Sequence, residues 1–224
     1  MPRPAQALLA LVLCLLAACQ GTRMVADPVL EVRGVDGATE LAVSTDYGLV
    51  FLGRSARSGP IEVTAWFGDG PSVEFTVVEP LGGGLFTAEP QIRLPRVPMS
   101  FEMPRAGQTL RLIGRRGKSK WSADVSVRSD KAVTGLIVDV PSALGDTPGR
   151  ASEGQAGAGL YLAGPGEHDL RLVGLVTGEV EVSAPDGGTR RYLTAVGPDQ
   201  LWRLVTYKRN FPRQRKFVYR ADVM

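Results

Sequence analysis

Side chains that could catalyse a reaction or bind a metal are scarce in this chain of 224 residues. It contains one histidine, His168, and two cysteines, Cys14 and Cys19. Zinc sites need three or four His, Cys or carboxylate ligands, so a His-rich or thiolate metal site is excluded. His168 lies in a stretch rich in Gly and Pro, which predicts a solvated turn and supplies no positioned hydroxyl for a catalytic base. We therefore expect neither a metal nor another cofactor.

The N-terminal residues carry the clearest signal in the sequence. Arg3 precedes an apolar run over residues 7–16, and small residues follow up to Cys19. This layout is typical of a secretory signal peptide, and the run is shorter than the ~20 residues that span a bilayer. The tetrapeptide Leu-Ala-Ala-Cys ending at Cys19 resembles the lipobox of bacterial lipoproteins. The resemblance implies a signal peptide at 1–18 and acylation of Cys19, for example with palmitate; an ordinary signal peptide with an incidental Cys19 is the alternative.

Export and acylation would place this protein in a bacterial envelope. Cys14 lies inside the apolar run and Cys19 would carry the lipid, so the processed chain would have no free thiol and no disulfide. Several acyl chains on one cysteine anchor a protein to a membrane more firmly than a single chain does. Gln20 follows, and the absence of Asp there implies, by resemblance to the lipoprotein sorting rule, an outer-membrane protein that faces the periplasm.

The rest of the chain has the pattern of an all-β protein. It contains 27 Gly and 16 Pro yet is 44% hydrophobic with a net charge of only +3, which excludes disorder and helical bundles. Asp199, after Pro198, is the predicted N-cap of one short helix. Alternating or short apolar runs predict the remaining elements. The predicted strands are 29–33, 40–44, 48–52, 61–67, 73–79, 91–94, 109–113, 121–128, 133–140, 159–163, 170–177, 180–184, 190–196 and 216–220.

The prolines suggest a division into two lobes. Pro95, Pro98 and Pro104 lie in or beside a strand-poor stretch, which is typical of a crossing between lobes. The predicted units are the signal peptide at 1–18, an N-terminal tether with first strands at 19–44, a first β-lobe at 45–95, a connector at 96–106, and a second β-lobe with helix and basic tail at 107–224.

Basic residues are unevenly distributed along the chain. Residues 105–120 contain six basic and no acidic residues, and a second group of seven basic residues runs from Arg203 in the predicted helix to Arg220. We expect either solvated hairpin tips and tail, or a surface for an anionic envelope polymer or an acidic protein. Export and the lack of a recognisable module argue against nucleic acid. The candidate patch consists of Arg111, Arg115, Arg116, Lys118, Lys120, Arg213, Arg215 and Lys216.

Several segments together resemble trypsin-like serine peptidases. Residues 106–114 resemble the strand that opens the second barrel, and 154–161 (GQAGAGLY) resemble the Gly-Asp-Ser-Gly-Gly-Pro nucleophile loop. Residues 172–178 (LVGLVTG) resemble the strand that follows this loop. The resemblance implies a two-lobed antiparallel β-barrel with a short C-terminal helix. A β-sandwich is the alternative, since many short strands with frequent turns also fit it.

The catalytic positions implied by this resemblance are empty. Ala156 stands at the nucleophile position, the base-bearing segment 53–60 has no histidine, and the acid position falls near Gly83 or Gly84. Ser152 lies close to the loop, but without a nearby base its hydroxyl is unreactive. The expectation is a non-catalytic binding or structural module. An adhesion or scaffold lipoprotein, or an active hydrolase using Ser152 or another hydroxyl with His168, are the alternatives.

The glycines of the nucleophile-like loop suggest a further possibility. Gly154, Gly157 and Gly159 permit a tight turn with positive φ, which can direct successive backbone N–H groups at one point. We therefore predict an anion nest there.

Overall fold

In the part of the chain that the structure describes, thirteen strands, one α-helix and two short 3-10 turns (Ser55–Ser58 and Ser142–Leu144) form two lobes. The computed structural model describes residues 28–67, 70–91, 94–144, 155–164, 169–184 and 187–210. The predicted strand at 216–220 lies outside the described residues.

Residues 29–88 form a seven-stranded antiparallel sheet in the order β5-β4-β1-β2-β3-β7-β6. The side chains of β4 show which face of the sheet is covered: Ile61, Val63 and Ala65 are at most 1% exposed, whereas Thr64 is 9% exposed and Glu62 is half-buried. The strands at 29–45, which the sequence division set apart from the first lobe, belong to this sheet. Its strands are β1 (Val29–Gly34), β2 (Thr39–Thr45), β3 (Gly48–Phe51), β4 (Ile61–Phe67), β5 (Gly70–Thr76), β6 (Val78–Gly82) and β7 (Leu85–Ala88).

Residues 109–196 form a closed barrel in the order β10-β13-β12-β11-β8-β9. Closure leaves no unpaired edge around the barrel, and its interior is filled by branched aliphatic side chains such as Leu112, Leu160 and Leu172. The strands are β8 (Thr109–Arg116), β9 (Ser119–Arg128), β10 (Leu136–Asp139), β11 (Gly159–Ala163), β12 (Leu170–Ser183) and β13 (Thr189–Val196). The predicted two-lobed β-barrel architecture is thus confirmed, and the sandwich alternative is wrong.

Three strand predictions differ from the structure. The predicted strand 73–79 is divided at Val77 into β5 and β6, which lie at opposite ends of the sheet order. The predicted strands 170–177 and 180–184 are one strand, β12, whose register with β13 shifts between Val176 and Gly178. A bulge lets the pairing continue past a glycine that suggested a break. Gln91 and Leu94, the ends of another predicted strand, belong to neither lobe's strands.

The Pro-rich connector is hydrogen-bonded to both lobes. Val97 forms a parallel bridge with Thr45 of β2, and Met99 forms one with Leu172 of β12. The Val97 N–H donates to Ser44 O at 3.0 Å, and the Ser100 N–H donates to Leu172 O at 2.8 Å. The connector therefore acts as a short strand between the lobes rather than as a free linker.

The C-terminal helix α1 (Pro198–Asn210) packs on this assembly. Asp199 was predicted as its N-cap, but the helix begins at Pro198, so Asp199 lies in the first turn. Proline is favoured at the first helical position because its missing N–H is not needed there, and an acid in the first turn suits the helix dipole. Leu201 and Leu204 are fully buried. Burial, and then the charge of Glu79, raises the pKa of Tyr207.

The larger hydrophobic core is shared between the lobes. It combines first-lobe side chains, including Leu41 and Val50, with barrel side chains and with Leu201 and Leu204 of α1. A second core, around Phe51 and Val63, lies within the first sheet. Since buried apolar area is the main stabilising term, the shared core fixes the lobes against one another.

Candidate functional site

The loop at Ala156 lies where the lobes meet. Ala156 is 4% exposed, and its carbonyl accepts a hydrogen bond of 2.7 Å from the N–H of Leu41 in β2. The loop therefore leads out of the barrel and is held by a strand of the other lobe. A methyl group occupies the predicted nucleophile position, so the residue offers nothing that could attack a carbonyl carbon.

Gly157 explains why a glycine follows Ala156. Its φ is +85°, a conformation that side chains with a Cβ rarely adopt, and a Cβ there would overlap the carbonyl group of Leu41. The loop and β2 can approach each other this closely only because no side chain intervenes. The glycine thus has a purely structural reason to be there.

Two amides of the loop predicted to form an anion nest already donate to backbone carbonyls. The N–H of Gly157 donates to Val176 O at 2.8 Å, and the N–H of Ala158 donates to Gln155 O at 2.9 Å. Gly159 lies in β11, between β8 and β12. Amides that already donate to backbone carbonyls cannot also converge on an anion. Gly154 lies outside the described residues.

Gln155 anchors the same loop to the β8–β9 hairpin. Its Nε2 donates to Arg115 O at 3.2 Å, and its Oε1 accepts from the indole Nε1 of Trp121 at 3.1 Å. The residue is 3% exposed, so these bonds satisfy an amide that is withdrawn from water. The barrel therefore holds Gln155 in place, and β2 holds the carbonyl of Ala156.

The segment 53–60, which was predicted to correspond to the base-bearing segment, contains Arg54, and this side chain connects the two lobes. Ser55–Ser58 forms a 3-10 turn after β3, and Arg54 precedes it. Arg54 is exposed, and its Nη2 donates to Thr177 O of β12 at 2.6 Å. A guanidinium stays protonated at physiological pH, so it cannot act as a general base.

Glu40 holds this segment in place. The carboxylate is 2% exposed and accepts hydrogen bonds from the N–H of Leu52 at 3.1 Å and from both the N–H and the Oγ of Ser55 at 2.7 Å. Three donors compensate the burial of the charge. Sequence reasoning missed Glu40; the only signal was a carboxylate directly before the apolar run of β2.

The position predicted for the acid falls among glycines. Gly82 ends β6, and Gly83 and Gly84 form the turn to β7, with φ of +82°, +63° and +79°. The guanidinium of Arg203 from α1 packs against this turn, where a Cβ on Gly83 would lie 3.3 Å from Arg203 Nε. A cation thus lies beside the position at which a carboxylate would orient the base.

Ala156 contacts β2 of the other lobe, and Arg54 contacts β12; neither side chain can act as a nucleophile or a base. Ser152 and His168 lie outside the described residues, so their arrangement stays a prediction. Among the described residues, no group of three His, Cys, Asp or Glu side chains could hold a metal ion. No helix within the described ranges is long and apolar enough to cross a bilayer.

The predicted basic patch is only partly available. Arg115 is 5% exposed, and its Nε donates to Val29 O at 2.8 Å, so it joins the lobes and does not face a partner. Arg111 pairs with Asp124 on β9 at 3.2 Å. Arg116, Lys118 and Lys120 are exposed at the hairpin, whereas Arg213, Arg215 and Lys216 lie outside the described residues.

Comparison with solved structures supports the fold. No protein-family model matches the sequence, and no curated protein matches it. The chain is similar to the MamO protease domain from Magnetospirillum magneticum, with a TM-score of 0.53 and 16% identity over 80% of this chain and 96% of that one. It is also similar to a serine endoprotease from Yersinia pestis, with a TM-score of 0.53 and 14% identity over 85% of this chain and 65% of that one. The chain therefore has the trypsin-like, two-lobed chymotrypsin fold.

Proposed function

We propose that this chain is a non-catalytic, lipid-anchored protein of the trypsin-like fold that serves as a binding or structural module in a bacterial envelope. The observation that carries the proposal is Ala156. It occupies the nucleophile position of a loop that Gln155 and Gly157 hold rigidly, so the backbone of the site persists while its reactive group is missing.

The other two catalytic positions support the same conclusion. Arg54 bridges from the base-bearing segment to Thr177, and Arg203 packs at the turn where the acid would stand. Both replacements are cations. Neither guanidinium accepts a proton at physiological pH, and positive charge disfavours the imidazolium that a catalytic histidine must become when it acts as a base. The region is therefore suited to holding two lobes together rather than to proton transfer.

Exposed basic side chains indicate that the partner of the proposed module is anionic. Arg116, Lys118 and Lys120 are exposed on the β8–β9 hairpin. An anionic envelope polymer or the acidic face of a protein matches this surface.

Restoring the hydroxyl should not restore catalysis. We expect Ala156→Ser and the wild-type chain to hydrolyse peptide and ester substrates no faster than buffer, because an activating base is worth on the order of 10⁶ in kcat in a serine peptidase. Initial rates measured on both proteins test this. Wild-type turnover that disappears in a His168→Ala variant would instead establish an active hydrolase.

The anchor predicts a change of cell fraction. We expect Cys19→Ser to move the protein from the membrane to the soluble exported fraction, because acyl chains cannot be attached to serine at this position. Cys14→Ser, inside the apolar run, is the matched control and should stay on the membrane. Fractionation followed by immunoblotting measures both; membrane retention of Cys19→Ser would refute the anchor.

A further inference from the structure

The turn of the β8–β9 hairpin carries a group of exposed basic side chains. We call Arg116, Lys118 and Lys120 the hairpin cations, and all three are exposed. Arg116 lies opposite Ser119 and Lys120 lies opposite Arg115, so the three cations belong to the turn and to the two residue pairs next to it. This end of the barrel therefore presents three positive charges to the solvent.

The acidic residues around this turn do not cancel its charge. The hairpin contains a single acid, Asp124 on β9, and it pairs with Arg111 at 3.2 Å. Strand β1 packs against β8, and its acid Glu31 pairs with Arg33 at 3.4 Å. Asp46, in the turn after β2, is exposed and lowers the balance by one charge. The surface at the hairpin turn is therefore positive and suits an anionic partner.

The hairpin turn lies beside the point at which the chain enters the fold. Arg115 is 5% exposed, and its Nε donates to Val29 O at 2.8 Å while its Nη1 donates to Lys118 O at 3.0 Å. One guanidinium thus connects the turn of the hairpin to the first residue of β1. Because this side chain is buried, the hairpin cations keep a fixed position next to the start of β1.

The length of chain before Val29 favours a bilayer as the partner. Residues 20–28 separate Val29 from Cys19, and a segment of this length spans at most about 35 Å. A lipid on Cys19 would therefore keep the hairpin cations close to the headgroups of the membrane. Each basic residue next to an anionic bilayer strengthens binding about fivefold. A soluble polymer or protein has no such fixed relation to Cys19.

We propose that the hairpin cations dock on the surface of a bilayer that contains anionic phospholipids. The proposal deepens the proposed function and rests on its lipid anchor, since the anchor brings this surface to the membrane. The hairpin cations contact phosphate groups, while Arg115 stays buried and holds the turn in place. An acyl anchor alone leaves the two lobes free to rotate on the membrane, and the second contact at the hairpin fixes their orientation.

Vesicle binding without the anchor tests the docking by itself. The chain from residue 20 onward contains every described strand and the helix. At low salt it should cosediment with vesicles containing phosphatidylglycerol much more than with pure phosphatidylcholine, and high salt should abolish the difference. Arg116→Glu and Lys120→Glu should each lower the partition coefficient by at least about tenfold, because each change removes an attraction and adds a repulsion.

Two matched charge reversals keep the test specific. Arg105→Glu and Lys131→Glu change the net charge by the same amount at exposed positions, one before β8 and one after β9, at the opposite end of the hairpin from the turn. Both should bind anionic vesicles within about twofold of the wild-type chain, and circular dichroism should show all variants folded. An equal loss in all four variants, no binding to anionic vesicles, or binding that resists salt would overturn the proposal.

Amine labelling locates the contact without a substitution. On vesicles containing phosphatidylglycerol, an amine-reactive reagent followed by mass spectrometry should find Lys120 protected and Lys131 as reactive as in solution. Equal protection of both, or binding to a soluble polyanion or an acidic protein but not to vesicles, would also contradict the docking. Release of Cys19→Ser in cells tests the anchor separately, because three cations bind too weakly to retain the chain at physiological salt.

Discussion

Replacing Gly157 with alanine is expected to lower the free energy of unfolding by more than about 3 kcal/mol. The φ of +85° alone costs roughly 1–2 kcal/mol for a residue with a Cβ, and this Cβ would also overlap the Leu41 carbonyl. Relief requires the loop to leave β2 and breaks the hydrogen bond between Leu41 N–H and Ala156 O. Thermal unfolding should show a decrease in Tm of about 6–12 °C for a chain of this size.

Gly107→Ala is a control that separates the cost of a positive φ from the cost of steric overlap. Its φ is +82°, nearly that of Gly157, but nothing lies within 4 Å of a Cβ built there. Gly107→Ala should therefore cost only the backbone strain, roughly 1–2 kcal/mol. Equal losses in the two variants would show that the loop is not held against β2 as described.

Replacing Glu40 with alanine is expected to cost about 3 kcal/mol. The change deletes an acceptor of three hydrogen bonds and leaves the N–H of Ser55, which is fully buried, without a partner. It should also loosen the segment that carries Arg54, and with it the bridge to Thr177. Denaturant unfolding measures the loss, and hydrogen exchange should show faster exchange at residues 52–58.

Two further variants define what Glu40 contributes. Glu40→Gln keeps one carbonyl acceptor and should recover part of the loss. Glu31→Ala removes a surface carboxylate that pairs with Arg33 at 3.4 Å, and its effect should stay within about 0.5 kcal/mol. A Glu40→Ala protein as stable as Glu31→Ala would contradict a structural role for this buried carboxylate.

Local patterns were enough to predict most of the strands and the two-lobed β architecture. The alternation at 61–67 is found as β4, and the apolar run at 159–163 is found as β11. Such patterns work because side chains of a strand point to opposite faces in turn, so one buried face is visible in the sequence. The prediction that Ala156 stands at the nucleophile position likewise needed only the loop pattern and the residue type.

Contacts between distant residues could not be predicted in the same way. Arg115 stood in a stretch with six basic and no acidic residues, yet its guanidinium is buried and donates to the carbonyl of Val29 in the other lobe. Arg54 and Glu40 were missed for the same reason, since Thr177 and Ser55 become their partners only after the lobes assemble. The local sequence shows a charge, but tertiary packing decides whether it faces a ligand or ties two strands together.

The central claim is that this trypsin-like fold performs no serine-peptidase chemistry, and covalent labelling tests it most directly. A fluorophosphonate modifies only a serine whose hydroxyl is activated, and intact-mass spectrometry detects the adduct without knowledge of a substrate. We predict no adduct on the wild-type chain under conditions in which an active serine peptidase is fully labelled. Stoichiometric labelling of Ser152 or any other serine would contradict the claim and establish a working nucleophile.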